Sequence, residues 1–347
     1  MPTRKPNPKR AVSPQIAALV LQGGGALGAY EHGVVRRLFE EPNLDIRYVS
    51  GVSIGAISAA IVVGARNGDP VASLGALWED LAIDAPFLPA AFAAGLSNLG
   101  NAAFYRLRSD FYAIPFWTSF YDLAPIRRRL ADLVDFDRIR DSAIRLVVTA
   151  TNVKTGAIVE FSNDDPDKPL TLDHIIASGS LPPGFPMTAI GGDLYWDGGL
   201  FDNTPLSPLL KLIAPEDAAR TRLFVVNLFP KSAPVPRNLA AVADRMIELI
   251  FANKLERDAH IAETINGFVQ LVEEMVARHP EDAALLARPE FLALRKYKAL
   301  EGIVQITNTR EEPANAASDF SRETIRARIA AGYADADREL MALAAAA

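Results

Sequence analysis

The sequence predicts an α/β fold with a mostly parallel central sheet, followed by a mainly helical C-terminal region. Residues 16–21 are a short continuous apolar run, which is typical of a strand buried on both faces, and residues 222–228 (RLFVVNL) predict a further buried strand. A glycine turn joins the first run to a helical pattern, and a second strand and helix complete a β-α-β-α order by residue 65. Right-handed crossovers make such strands parallel, so the glycine turns that follow the two strands share the carboxyl edge of the sheet.

Composition limits the classes of function. The chain has 347 residues, enough for one large domain or two ordinary ones, and 50% hydrophobic with 22% charged residues is a globular composition. The net charge of −6 argues against nucleic acid as a partner, because no long basic stripe is present to neutralise phosphates. The absence of cysteine excludes disulfides, cysteine nucleophiles and thiolate metal sites, and it fits a reducing compartment such as the cytoplasm.

Three regions divide the chain. Residues 1–13 are a basic, proline-rich tail that we expect to be disordered, with contact to an anionic membrane surface as the alternative. Residues 14–230 carry the α/β pattern, and residues 231–347 carry the helical one. No apolar run reaches the roughly 20 residues that a spanning helix needs, and no secretory signal is recognisable. We therefore expect a protein that is soluble or peripheral to a membrane.

The later regions show different periodicities. In the helical region, apolar residues recur at steps of four and three, namely Ile261, Ile265, Phe268, Val272 and Met275. This pattern favours packing on the preceding domain, with an oligomeric seam as the alternative. A strand is predicted at 302–309 and a closing helix at 322–340. Residues 84–125 are rich in aromatic residues, Pro and Gly without a clear period, so a lid over an apolar pocket and a helical hairpin in the core remain alternatives.

A G-x-S-x-G pentapeptide at residues 51–55 lies between a β-prone run and a run of small, helix-compatible residues. This context is what a nucleophile elbow requires, since a serine on a sharp strand-to-helix turn exposes its hydroxyl. Gly51 and Gly55 remove a Cβ where strand and helix approach each other. The helix N-terminus also favours negative charge beside the Ser53 hydroxyl. The sequence therefore predicts Ser53 as a catalytic nucleophile, with a tight structural turn as the alternative.

The first glycine turn, Gly23-x-Gly25-x-x-Gly28, matches two kinds of site. A dinucleotide fingerprint needs an acidic residue at the end of the second strand. Asp45 has the right spacing but falls at the start of that strand, which disfavours a nucleotide-binding oxidoreductase. The alternative is an oxyanion hole, because consecutive glycines allow the amides of Gly24 and Gly25 to converge on one point. That point is near Ser53 if the two strands are neighbours.

A serine nucleophile needs a general base. The sequence has only four histidines, none of which lies in a glycine-marked turn at a strand end: His32, His174, His260 and His279. A Ser-Asp-His triad that uses His260 remains an alternative. Asp197 is the better candidate, because Gly198 and Gly199 permit a tight turn that brings its carboxylate close to another element. Burial beside Trp196 would raise the pKa of Asp197 toward the working pH.

These motifs, in this order, resemble those of the patatin-like phospholipase family. The resemblance rests on three ordered motifs and on the segment ASGSLPPGFP that precedes the last one: residues 23–28 (GGGALG), 51–55 (GVSIG) and 197–199 (DGG). It spans about residues 16–230. The C-terminal region is similar to the extension of some bacterial members.

The resemblance implies a three-layer α/β/α domain and an acyl hydrolase without a cofactor or metal. Ser53 would be the nucleophile, Asp197 the base, and the Gly24 and Gly25 amides the oxyanion hole. The implied substrates are phospholipids, lysophospholipids or neutral lipid esters. Many members carry a basic residue where this chain has Leu27, so the choice between phospholipids and simpler esters stays open. A non-catalytic membrane adaptor that keeps the fold is the remaining alternative.

Overall fold

The structure is a computed structural model that describes residues 14–84, 100–229, 254–295, 302–312 and 316–346, with isolated positions between 235 and 251. The side chains of residues 254–263 lie outside the described part, as does the tail predicted at residues 1–13. The large sheet contains the strands β1 (Gln15–Leu21), β2 (Leu44–Gly51), β6 (Arg145–Asn152), β7 (Ile158–Ser162), β8 (Thr188–Ile190), β9 (Asp193–Asp197), β10 (Thr221–Asn227) and β11 (Gly302–Thr307).

The order β11-β10-β1-β2-β6 is parallel throughout, while β7, β8 and β9 add antiparallel pairs at the β6 end. Alternate residues of β1 belong to two different hydrophobic clusters, with Leu19 on one face and Val20 on the other. A strand covered on both faces must be apolar at every position. The predicted mostly parallel sheet, with its buried central strands, is confirmed.

Helices cover both faces of the sheet, which gives the three-layer α/β/α arrangement predicted from the family resemblance. Their bounds are α1 (Ala29–Phe39), α2 (Ile54–Gly64), α3 (Pro70–Leu81), α4 (Ala124–Leu133), α5 (Phe136–Asp141), α6 (Leu172–Ser178), α7 (Leu206–Leu212), α8 (Pro215–Ala218), α9 (Lys254–Arg278), α10 (Pro289–Arg295) and α11 (Arg322–Ala346). Within the described residues, none of these helices is long and apolar enough to cross a membrane.

One edge of β6 is shared by two strands. β2 pairs with Arg145 to Val148, and β9 pairs with residues 150–152 further along. β7 pairs with residues 147–151 and therefore occupies the opposite edge. Because β2 is parallel to β6 and β9 is antiparallel, the C-terminal ends of β2 and β9 point toward each other. This meeting point lies where Ser53 follows β2 and where Asp197 ends β9.

The C-terminal region contributes to the same sheet and the same helical layer. β11 extends the sheet beyond β10, and α11 crosses α1 so closely that a Cβ on Gly33 or on Gly332 would overlap the backbone of the other helix. The Tyr30 hydroxyl donates a hydrogen bond of 2.7 Å to Asp335 across this crossing. The predicted strand and closing helix are thus present. The division into domains at residue 230 stays a prediction.

The apolar face predicted for α9 is partly wrong. Phe268 and Met275 are each 54% exposed, whereas Val269 and Val276 are buried. Steps of four and three residues fit the face that contains Phe268 and Met275, and they fit equally the face that contains Val269 and Val276. The two faces are offset by one residue along the helix. The helix contacts residues 280–287 and α10.

The aromatic-rich region 84–125 is described from residue 100 onward. Its three short strands, β3 (Gly100–Asn101), β4 (Tyr105–Leu107) and β5 (Tyr121–Asp122), form a small antiparallel sheet. A 3-10 helix, Phe111–Phe116, joins two of them. The helical hairpin that was one alternative is therefore wrong for residues 100–122, because short cross-strand pairs replace it. A lid function stays a prediction.

Candidate active site

Ser53 lies on a strained turn between β2 and α2. Its φ of 56° makes it the one non-glycine residue with positive φ among the described residues, a conformation that costs energy and is typical of functional sites. The Ser53 amide donates to the carbonyl of Ser178 at 3.1 Å. Gly51 and Gly55 face each other so closely that a Cβ on Gly51 would overlap the Gly55 carbonyl. The predicted close approach of strand and helix is present.

Asp197 ends β9 opposite Ala150 of β6, and it is 2% exposed. Its amide donates to the Ser180 carbonyl at 3.0 Å, and its Oδ1 accepts from the Gly199 amide at 2.7 Å. The Ser53 side chain lines the same cavity as this carboxylate. Burial raises the pKa of Asp197 to about 7, while the hydrogen bonds from Ser53 and Gly199 act in the opposite direction. Gly198 packs against Thr149, where a Cβ would lie 2.5 Å from the Thr149 carbonyl oxygen.

The first glycine turn lies against the elbow. A Cβ on Gly23 would be 2.9 Å from the Ser53 Cβ. Gly24 precedes a short 3-10 helix, Gly25–Gly28, and the first amides of a helix have no intrahelical acceptor. Gly24 and Gly25 line the same cavity as Ser53. Gly28 packs on the Ile54 side chain, the first residue of α2. The structure therefore brings all the predicted glycines and both predicted catalytic side chains to one edge of the sheet.

Two buried amide side chains that the sequence did not single out hold the glycine turn. Asn203 Nδ2 donates to the Gly23 carbonyl at 3.0 Å. Gln22 Nε2 donates to Thr204 Oγ1 at 2.6 Å, and Gln22 Oε1 accepts from the Leu228 amide at 2.9 Å. Gln22 adjoins the glycine run, and Asn203 follows Asp197 by six positions. Their closeness to the motifs in the sequence is the signal that could have identified them. Nothing in one sequence separates them from ordinary loop residues.

A cavity of about 440 Å³ opens over Ser53 and Asp197. Its wall is mostly apolar and is rich in aromatic side chains, namely Phe104, Tyr105, Tyr121, Phe185, Phe229, Phe251 and Phe320. Tyr105 and Phe185 contact each other and also contact both Phe104 and Tyr121, with ring centroids 4.8–6.1 Å apart. Among the lining residues that the structure describes, the charged ones are Asp197 and Glu248. Leu27 is also part of the wall, at the position where many family members carry a basic residue.

The histidines whose side chains are described take other roles. Burial lowers the pKa of His32 to about 4, with the charge of Arg36 as a second cause. His174 Nδ1 accepts from the Thr171 amide at 2.9 Å in the cap of α6, and His279 is exposed beside Glu281. None of these three lines the cavity. The His260 side chain lies outside the described residues.

Asp45, the residue on which a dinucleotide site would depend, pairs with Ile16 at the amino end of the first two strands. The glycine turn lies at their carboxyl end, and Asp45 forms an ion pair of 2.7 Å with Arg47. The carboxylate is thus at the wrong edge of the sheet for a ribose. Within the described residues, no group of three His, Asp or Glu side chains is placed to hold a metal ion.

A serine on a strained strand-to-helix turn, beside a buried carboxylate and a glycine turn at the carboxyl edge of an α/β sheet, is the architecture of the serine hydrolases. The chain belongs to the patatin-like phospholipase family, whose model matches residues 19–210. A second family model, described as patatin phospholipase, matches residues 249–345. The predicted resemblance to this family is confirmed.

Individual relatives are distant. Lysophospholipase NTE1 of Meyerozyma guilliermondii is 27% identical over 203 residues, which is 58% of this chain and 12% of that protein. The chain thus spans about an eighth of the length of this curated relative. VipD from Legionella pneumophila aligns with 94% of this chain and 67% of its own, at 14% identity and a TM-score of 0.39. The ExoU–SpcU complex of Pseudomonas aeruginosa aligns with 96% of this chain and 77% of that chain, at 18% identity and a TM-score of 0.33.

Proposed function

We propose that this protein hydrolyses lipid acyl esters with Ser53 as nucleophile, Asp197 as general base, and the Gly24 and Gly25 amides as oxyanion hole. The observation that carries the proposal is that Ser53, on its strained turn, and the buried Asp197 carboxylate line one cavity where β2 and β9 meet. A general base acts best when its pKa lies near the working pH, and burial raises the pKa of Asp197 to about 7. A direct pair of this kind needs no histidine.

The reaction proceeds in two halves. The Ser53 oxygen attacks the ester carbonyl carbon while its proton passes to Asp197, and the carbonyl oxygen becomes an oxyanion. The tetrahedral intermediate collapses when the ester C–O bond breaks and the leaving alkoxide takes the proton from Asp197. Water then attacks the acyl-enzyme, Asp197 takes its proton, and the acid leaves as Ser53 regains a proton.

The glycine turn supplies the charge stabilisation. Gly24 and Gly25 line the cavity beside Ser53, and their amides precede or open a 3-10 helix. Amides at a helix start point outward without an intrahelical acceptor, and they favour a negative charge. Each donor of an oxyanion hole contributes roughly 3 kcal/mol of transition-state stabilisation. The turn is held by Asn203 on one side and by packing on Ile54 on the other.

The cavity favours substrates with an apolar acyl chain. Aromatic rings form most of the wall near Ser53, and burial of each methylene of an acyl chain contributes about 0.8 kcal/mol. Lysophospholipids, phospholipids and neutral lipid esters share this chain and the ester bond. The side chain of Leu27 offers no charge to a phosphate. Peripheral contact with a lipid surface would deliver such substrates.

An activity panel tests the proposal. We expect wild type to hydrolyse p-nitrophenyl esters and at least one lipid ester, and we expect Ser53→Ala to lower kcat roughly 10⁴-fold or more. Ser50→Ala is the matched control, because Ser50 is a buried serine of β2 whose Oγ has no hydrogen-bond partner among the described residues. Full activity in Ser53→Ala would overturn the proposal. Equal losses in both variants would indicate a folding defect.

Two alternatives have separate tests. Loss of activity in His260→Ala, with an unchanged melting temperature, would favour a triad over the Ser53–Asp197 pair. A fluorophosphonate label on Ser53, located by mass spectrometry, would exclude a non-catalytic adaptor. We expect labelling of wild type and none of Ser53→Ala, while His260→Ala is labelled at the wild-type rate.

A further inference from the structure

Part of the cavity wall comes from the C-terminal region rather than from the segment that carries Ser53 and Asp197. Ala316, Ala317, Ser318 and Phe320 line the cavity. These residues belong to the stretch covered by the second family match. We refer to them as the 316–320 segment. Phe320 is buried and stands edge-on to Phe104 at a centroid distance of 5.7 Å. The C-terminal region therefore completes the cavity.

The 316–320 segment also touches the glycine turn. Gly25 has a φ of +57°, and a Cβ built on it would overlap the carbonyl oxygen of Ala317. The backbone of Ala317 thus lies against Gly25, whose amide is proposed to bind the oxyanion. A shift of the segment would either release the Gly25 peptide or press against it.

A single buried arginine holds this segment. Arg328 extends from α11, and its side chain is fully buried. Its Nη2 donates to the Ala316 carbonyl at 3.0 Å, and its Nη1 donates to the Asp319 carbonyl at 3.1 Å. The same guanidinium pairs with Glu312 at 2.7 Å, where the carboxylate is 2% exposed. The two carbonyls lie on either side of Ala317, so the guanidinium fixes the peptide that contacts Gly25.

The use of a buried ion pair at this contact indicates a role beyond stabilising the fold. A buried ion pair costs desolvation energy, and a well-packed apolar pair of similar volume often stabilises a fold equally well. An apolar pair lacks the planar guanidinium fork of arginine, which can bind a carboxylate and two carbonyl groups in one fixed geometry. The feature that Arg328 supplies is therefore the position of the 316–320 segment relative to Gly25.

We propose that Arg328 is a positioning residue for the hydrolysis: through the 316–320 segment it fixes both the Gly25 amide and the part of the cavity wall that Phe320 forms. The inference rests on the proposed function. It predicts that loss of the fork lowers kcat on short esters and also changes the preference for acyl-chain length. It assigns the C-terminal region a role in the active site.

Arg328→Lys tests the proposal, because lysine keeps the charge but not the fork. A displacement of about 1 Å in a catalytic group costs on the order of 100-fold in rate. We expect kcat on p-nitrophenyl butyrate to fall roughly 10- to 100-fold, with a smaller change in KM, and the rate of fluorophosphonate labelling of Ser53 to fall in parallel. The ratio of activity on dodecanoyl and butanoyl esters should also change. Wild-type kinetics and an unchanged ratio would overturn the proposal.

Tyr30→Phe is the matched control. It removes the 2.7 Å hydrogen bond to Asp335, which anchors the same helix α11 at its crossing with α1. Tyr30 is fully buried and does not line the cavity. We expect a lower melting temperature with unchanged kcat and chain-length ratio. If Arg328→Lys and Tyr30→Phe lower activity only in proportion to their unfolded fractions, Arg328 is a structural residue and the proposal fails.

Two further variants test the proposal if Arg328→Lys does not fold. The double variant Arg328→Met/Glu312→Leu replaces the ion pair by apolar groups, and we expect it to fold with the same kinetic defect. Phe320→Leu alters the segment itself and should shift the preference toward longer chains. Retention of wild-type kinetics in the double variant and of the wild-type ratio in Phe320→Leu would overturn the proposal. An inactive, unlabelled wild type would instead contradict the proposed function, so the two failures are distinguishable.

Discussion

Ser53 and Asp197 line the same cavity, although the serine opens a helix and the aspartate ends a strand. This arrangement arises because β2 and β9 occupy successive stretches of one edge of β6 and run toward each other. Each strand delivers its last residues to the same point. The geometry of the pair is thus set by strand pairing, and its chemistry is set by burial.

The Ser53–Asp197 pair should behave as one unit. We expect Ser53→Ala and Asp197→Asn each to abolish most of the activity, and the double variant to be no worse than the more damaging single variant, because either change removes the same proton transfer. Steady-state kinetics on one p-nitrophenyl ester measure all four proteins. Additive losses would mean that the two residues act independently, in conflict with a dyad.

The activity should depend on pH through Asp197. Burial raises the pKa of Asp197 to about 7, and only the ionised carboxylate can accept the Ser53 proton. We expect kcat/KM to rise about tenfold per pH unit below pH 7 and to level off above it. The profile is measured from pH 5 to 9 on an uncharged ester. A midpoint near pH 4 would contradict a buried base, and a midpoint that moves in His260→Ala would implicate that histidine.

The same shift makes Asp197 a source of instability. Burial raises the pKa of the Asp197 carboxyl from the ordinary value of 3.8 to about 7 in the folded protein. Between about pH 4 and pH 7 the carboxyl is therefore protonated in the folded state and ionised in the unfolded state. The free energy of unfolding therefore falls as the pH rises from about 4 to 7, by on the order of 4 kcal/mol. Asp197→Asn removes this dependence, and we expect it to be more stable than wild type at pH 8.

Denaturant unfolding at pH 4.5, 6 and 8 measures the difference between Asp197→Asn and wild type. The difference matters because burial also raises the pKa of Glu31, which adds a pH dependence common to both proteins. Asp193→Asn is the matched control, since Asp193 lies exposed at the other end of β9. A constant stability difference across the three pH values would show that Asp197 is not protonated in the folded state near pH 6.

Gly25 and Gly191 offer a matched pair of glycines that tests the proposed oxyanion hole. Their φ values are +57° and +58°, so alanine meets the same backbone strain at both. A Cβ on Gly25 would overlap the Ala317 carbonyl, whereas no described atom lies within 4 Å of a Cβ on Gly191. We expect Gly191→Ala to lose about 1 kcal/mol of stability with full activity. Gly25→Ala should lower kcat at least tenfold as well. Equal kinetics in both variants would contradict a role of the Gly25 amide in the oxyanion hole.

The sequence alone was sufficient for the local parts of this protein. The apolar runs within residues 16–21 and 223–226 identify β1 and β10, because a strand covered by helices on both faces has no polar face. The glycines at positions 51 and 55 identify the elbow, because the tight turn between β2 and α2 leaves no room for a Cβ. The pairing of Asp197 with Gly198 and Gly199, together with the scarcity of histidine, indicated a base other than histidine.

Tertiary structure decided which distant residues meet. One edge of β6, shared by β2 and β9, directs Asp197 to Ser53, and no local pattern records which strands share an edge. Asn203 and the 316–320 segment with Arg328 are likewise invisible in a single sequence, and the aromatic-rich region 84–125 left a lid and a core hairpin as alternatives. A side chain in a cavity wall looks like any core residue until its neighbours are known. Local turn geometry is encoded in neighbouring residues, whereas cavities and the burial that raises the pKa of Asp197 depend on contacts between residues far apart in the chain.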